Sequence, residues 1–140
     1  MIVVDTNVVS ELMRPSPSQS VRDWVQARPG RALYTSAITI AEVRYGIERL
    51  PDGRRKRLLN SVAAEVFDRF AEQILPFDLA AAEQYALIVS RRDTLGMPID
   101  GFDGQIAAIC RARGMALATR NTVDFRETGV NVIDPWRGEG

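Results

Sequence analysis

Histidine is absent from this chain. That removes histidine general bases, triads built on histidine and His–Cys zinc sites. Cysteine is nearly absent: Cys110 stands alone, so no internal disulfide can form. Its neighbours Ile106, Ala107 and Ile109 point to a buried thiol in a reducing compartment. Lysine is reduced to Lys56, which leaves arginine to carry almost all the positive charge. Such a bias suits bidentate phosphate contacts, and it equally suits a bias in genomic base composition. The formal net charge is zero, so no global field draws in a polyanion and any nucleic-acid surface must be a local patch. No apolar run approaches the roughly 18 residues of a membrane span. Asp5 interrupts the N-terminal apolar stretch at once, so no signal-type segment is expected. These absences predict a cytoplasmic protein with no membrane partner.

What is present fits a single domain over residues 1–140. The length suffices for a real core, and an apolar fraction of 46% is ordinary for a globular chain. There are no repeats and no low-complexity segments; Pro15-Ser16-Pro17-Ser18 reads as a short loop. The chain opens on Met1-Ile2-Val3-Val4, a buried-strand pattern ending on Asp5. Similar short apolar runs are Ala32–Tyr34, Ile74–Phe77, Met115–Ala118 and Val130–Ile133. Pro76 suits an edge strand. Helical periodicity fills the gaps at Ser20–Ala27, Thr39–Leu50, Leu58–Phe70, Leu79–Leu95 and Asp103–Arg113. Alternating strands and helices predict an α/β fold, a central mostly parallel sheet of about five strands with helices on both faces. The helix pair between the second and third strands exceeds what one crossover needs, and reads as a protruding hairpin or an interface.

Acidic and amide residues recur beside strand ends and helix starts. Asp5 ends the first strand, and Thr6-Asn7 starts a helix. Glu42 lies near the start of the next helix. Asp100 and Asp103 open the helix before the fourth strand, and Asn121 and Asp124 follow that strand. In a parallel sheet these positions share one edge, where open α/β folds bind their ligands. Each also has a local reading. Thr39-Ile40-Ala41-Glu42 fits a capping box. Asp100 fits an N-cap with Asp103 at N3, Asn121 fits a cap with Asp124 at N3, and Asp5 fits the cap of its own helix.

Taken singly, the capping readings are the stronger. Taken as a set they weaken, because caps need not converge on one edge, and no lysine or histidine on these segments neutralises the acids. Converging carboxylates raise one another's pKa values. A hard cation such as Mg2+ or Mn2+ relieves that strain, keeps several waters and accepts substrate phosphates. The chemistry implied is phosphodiester hydrolysis. Phospho-receiver domains and haloacid-dehalogenase phosphatases also place Asp after a first strand. Those families need a lysine near the site, but Lys56 lies far from any strand end. The phosphatases also want a second Asp where this chain has Asn7.

Four segments in order carry a family resemblance. They are Val4-Asp5-Thr6-Asn7-Val8; Ser36-Ala37-Ile38-Thr39-Ile40-Ala41-Glu42-Val43; Phe102-Asp103-Gly104-Gln105-Ile106-Ala107-Ala108; and Ala118-Thr119-Arg120-Asn121 with Asp124-Phe125. The chain resembles, over nearly its whole length, the PIN-domain ribonucleases, specifically the VapC/FitB-type toxins of bacterial toxin–antitoxin pairs. The ending Asp134-Pro135-Trp136 is similar to the FitB branch. The resemblance implies a PIN-like domain in which Asp5, Glu42 and Asp103 are catalytic and bind Mg2+ or Mn2+ to activate water for RNA cleavage. The family's fourth acid falls at Asn121, a weaker ligand, which puts a second metal position in question; Asp124 is the alternative. Thr6 and Asn7 are supporting residues that orient Asp5 or a metal-bound water.

Arg14, Arg44 and Arg120 are the RNA-contact candidates nearest this edge, with Arg91 and Arg92 further ones; each also reads as a solvated surface arginine. The run Arg54–Arg57 reads as a solvated helix start. The resemblance further implies a cognate antitoxin, a structured RNA substrate such as tRNA, and a homodimer. The surplus apolar set Ala37, Ile38, Ile40, Val43, Tyr45 and Leu50 fits an antitoxin groove or core equally well. Two other readings stand beside the toxin: a non-catalytic PIN-fold module that binds RNA or a partner, and a structure-specific DNA nuclease.

Overall fold

The computed structural model describes residues 1–138. Five short strands form one sheet: β1 (Ile2–Val4), β2 (Leu33–Ser36), β3 (Ile74–Leu75), β4 (Ala116–Ala118) and β5 (Val132–Ile133). Their order is β3-β2-β1-β4-β5, and every pairing is parallel. The register pairs Ile2 with Leu33 on one side of β1 and Val4 with Ala118 on the other. The chain leaves β1 for β2 on one side and later crosses to β4 on the other. The carboxyl ends of β1 and β4 therefore flank the topological switch point, where such sheets open a crevice.

Six helices cover the sheet: α1 (Thr6–Leu12), α2 (Gln19–Gln26), α3 (Ala37–Glu48), α4 (Arg54–Asp68), α5 (Leu79–Thr94) and α6 (Gly101–Arg113). Neighbouring β1 residues point to opposite faces, because side chains alternate along a strand. Val4 joins the core built with α1 to α4, and Val3 joins the core built with α5 and α6. The second core is tight where α5 meets α6: a Cβ on Gly104 would lie 3.1 Å from Tyr85 Cε2. Among the described residues, no helix is long and apolar enough to cross a membrane.

Three expectations need correction. The α3–α4 pair does not protrude, since Val43, Ile47, Ala63, Val66 and Phe67 from it are buried in the first core. Helix α4 begins at Arg54 and not at Leu58, so the Arg54–Arg57 run is the helix start it also reads as, with the Lys56 ammonium donating to the Glu48 carbonyl at 3.0 Å. Helix α3 is not started by a Thr39–Glu42 capping box. Strand β2 runs on to Ser36, whose Oγ accepts from the Thr39 amide at 3.1 Å and caps a helix beginning at Ala37. Glu42 is thereby left to face another element. Ser36 is fully buried, so Ser36→Ala is expected to cost about 1–2 kcal/mol, the upper range for a lost cap. A lower urea midpoint with an unchanged slope would register it.

Candidate active site

Asp5 caps α1 and sits at the switch point, 3% exposed. Its Oδ1 accepts from the Thr6 amide at 2.8 Å. Its Oδ2 accepts from Thr119 Oγ at 2.8 Å and, more weakly, from Asn7 Nδ2 at 3.4 Å. Thr119 follows β4, so one hydrogen bond ties together two strand ends separated by most of the chain. Asn7 strengthens the tie by donating to Thr119 Oγ1 at 3.0 Å and accepting from the Arg120 amide at 3.2 Å. All these donors are neutral.

Glu42 reaches the same cleft from α3. Its Oε1 accepts from Thr6 Oγ1 at 2.8 Å. Thr6 therefore orients Asp5 through its backbone and Glu42 through its side chain. Asp103 enters from the first turn of α6, where Asp100 is the N-cap, accepting from the Phe102 amide at 3.1 Å. Asp5, Glu42 and Asp103 together line a cleft of about 570 Å3 that Thr6, Asn7, Arg14, Arg120 and Asn121 also border.

The acids are held against their ordinary titration. Burial pushes the Asp5 carboxyl up, its hydrogen bonds from Thr119 and Thr6 oppose this, and the nearby Asp124 charge adds to it. Burial likewise raises Glu42, against the bond from Thr6 and with the repulsion of Asp5 and Asp100. Asp103 is pushed up to about 7, first by burial and then by Asp5, Asp100, Asp124 and Glu42. Among the described residues, none of the three acids has a basic group at ion-pair distance.

This donor set fits a hard cation: it is all oxygen, negatively charged and short of counter-charge. Among the described residues, no group of three potential ligands is drawn tightly enough to hold an ion by itself.

The remaining candidates separate. Arg14 borders the cleft, with its guanidinium 3.4 Å from Glu11 of α1. Asn121 stands on the rim at the N-cap position of the following turn, with no capping hydrogen bond from its side chain. Asp124 does not line the cleft; it shares a small cavity with Asp103, Asp100 and Arg92. Arg44 does not line the cleft: it lies over the Phe67 ring of α4, 5.2 Å from its centroid. Arg91 pairs with Glu127 at 2.8 Å. Arg92 is no surface contact for RNA. It is 5% exposed and donates to the carbonyls of Met97, Asp124 and Arg126.

Thr119 and Trp136 fall in segments that carry the family resemblance, but sequence reasoning gave neither a role in the site. The bond from Thr119 to Asp5 gives no signal until the strand order is known. Trp136 lines the cleft, with Arg120 over its ring at 5.2 Å. Of the apolar surplus on α3, Val43 and Leu50 line a second groove of about 470 Å3 with Ile47 and Leu59; it adjoins the acidic cleft through Thr6 and Glu42. Tyr45 stays exposed, with Arg49 over its ring.

A doubly wound parallel sheet with carboxylates gathered at its switch point defines a narrow class. Residues 2–131 match the PIN domain, and the chain belongs to that family. It is 42% identical to the VapC ribonuclease Y4jK of Sinorhizobium fredii, over 97% of this chain and 98% of that one. It is 40% identical to the toxin FitB of Neisseria gonorrhoeae, over 97% and 99%. In three dimensions it is similar to a solved structure of FitAB bound to a DNA fragment, with a TM-score of 0.89, 41% identity and coverage of 97% and 96%.

Proposed function

We propose that this protein is a metal-dependent endoribonuclease toxin of the VapC/FitB type. The observation that carries this reading is the convergence of Asp5, Glu42 and Asp103 on one cleft, none of them with an ion-pair partner among the described residues. The names of its relatives, a VapC ribonuclease and the toxin FitB, support it. Asp5, Glu42 and Asp103 would hold Mg2+ or Mn2+; when bound, the metal supplies activation of water and screens charge developing on the phosphate. Thr119, Asn7 and the Thr6 amide fix Asp5, while the Thr6 hydroxyl fixes Glu42. Arg14 and Arg120 are the cations placed to meet phosphate oxygens of a structured RNA such as tRNA.

A cognate antitoxin covers the adjoining apolar groove in this reading. The FitAB assembly supports such a partner, and so does the run of Val43, Ile47, Leu50 and Leu59 beside the acids. The reading includes a homodimer, as the family resemblance implies. In this reading the toxin acts in the cytoplasm, where a substrate such as tRNA is found.

Protein freed of any partner is expected to cleave RNA in Mg2+ or Mn2+ and to lose that activity in EDTA, recovering it when metal is restored. Full cleavage in EDTA would overturn the metal-dependent reading. Asn121, where many family members carry an acid, favours one other reading, a non-catalytic RNA- or partner-binding module. Calorimetric titration with Mn2+ separates them: no uptake at millimolar metal, with RNA binding kept, selects the module.

A further inference from the structure

We propose, resting on the ribonuclease reading above, that Trp136 and Arg120 form a subsite that seats an unpaired nucleotide beside the acidic cleft. Trp136 is built into place. Its amide donates to Oδ1 of the buried Asp134 at 2.9 Å, and it follows the buried Pro135 in a short 3-10 turn. That turn packs on α2, and the indole reaches the first core while still lining the cleft.

Arg120 completes the wall. Its backbone amide is held by Asn7 Oδ1, the same residue that bonds Asp5 and Thr119. Its guanidinium lies over the Trp136 ring, 5.2 Å from the centroid. Among the described residues it forms no ion pair, although the cleft beside it is acidic. An aromatic ring and an exposed guanidinium fixed next to carboxylates answer the two faces of a nucleotide. A base stacks on the guanidinium plane that covers the ring, or on the ring itself once Arg120 swings out to meet the phosphate. A base inside a duplex has both faces stacked on its neighbours, so this wall selects unpaired, unstacked residues at or next to the scissile bond.

The binding test uses full-length Asp103→Asn protein, which carries less negative charge in the cleft and is expected not to cleave. Hexauridylate should quench Trp136 emission against the constant signal of the buried Trp24, and a matched duplex should not. Trp136→Phe in the same background should abolish the change. In steady-state cleavage of an unpaired site, Trp136→Ala and Arg120→Ala should each raise KM roughly tenfold or more while kcat stays within about twofold. Trp136→Phe should recover most of the loss. No quenching by hexauridylate, or a fall in kcat at unchanged KM, overturns the subsite. If Trp136→Ala fails to fold, the quenching experiment and Arg120→Ala decide it. If the wild-type chain cleaves no RNA in Mg2+ or Mn2+, the ribonuclease reading falls, and quenching still decides whether the subsite exists.

Discussion

Asp103→Asn is expected to abolish RNA cleavage and at the same time to stabilise the metal-free protein. Asp103 faces Asp5, Glu42, Asp100 and Asp124, and its carboxyl is pushed up to about 7 against an ordinary value of 3.8. The folded state therefore binds this proton more tightly than the unfolded chain does. Stability from that proton is fully present below the ordinary value and is lost as pH rises through about 7. Above that pH the wild-type chain carries a half-buried charge among like charges. Asparagine keeps the shape and removes the charge.

In EDTA at pH 8 the variant should thus be more stable, by about 1–2 kcal/mol after allowing for solvent screening of a half-buried group. The gain in melting temperature should shrink as pH falls toward 4, where the wild-type carboxyl is itself protonated. Mn2+ should raise the wild-type midpoint more than the variant's. Cleavage should fall on the order of a thousandfold, the scale of losing a group aimed at charge that develops during reaction. A variant less stable than wild type at pH 8 would show that Asp103 is not repelled by its neighbours.

Opposite signs for activity and stability mark a site where function is held against the fold's own preference. Part of that site was legible in the chain. Asp5 could be placed because an apolar strand followed by Thr-Asn is a local signal, and Asp100 because a cap is one. Glu42 was ambiguous because a capping box is local too, and only the buried Ser36 cap freed its carboxylate to meet Thr6. The role of Thr119 was invisible for a different reason. Its bond to Asp5 spans 114 positions and depends on β1 lying beside β4, which no window of sequence encodes. The strands' types were readable, and their ends less so. Strand β2 ends in Thr35 and Ser36, polar residues whose burial depends on contacts such as Thr35 Oγ1 donating to the Val4 carbonyl at 3.2 Å.

Arg92 is where sequence and structure part furthest, and its removal should cost the fold as much as truncating a large core side chain. An arginine in the last turn of α5 reads as a solvated cation favoured by the helix dipole. In the structure it is buried and holds two loops at once. Its Nε donates to the Met97 carbonyl at 2.5 Å, and its Nη1 to those of Asp124 and Arg126 at 2.8 and 2.6 Å. Met97 precedes Asp100 and α6, and Asp124 supplies part of the field on Asp103. Arg92→Ala leaves three carbonyls without their charged donor and opens a cavity. The expected loss is about 3–5 kcal/mol, with a fall in melting temperature of roughly 10 °C or more. Arg92→Lys should recover little, because one compact ammonium cannot reproduce a planar fork reaching both loops. In either variant, released loops would let Asp103 drift from Asp5, so metal-supported cleavage should weaken even below the melting transition. A midpoint within about 2 °C of wild type for Arg92→Ala would mean that the loops carry their own order.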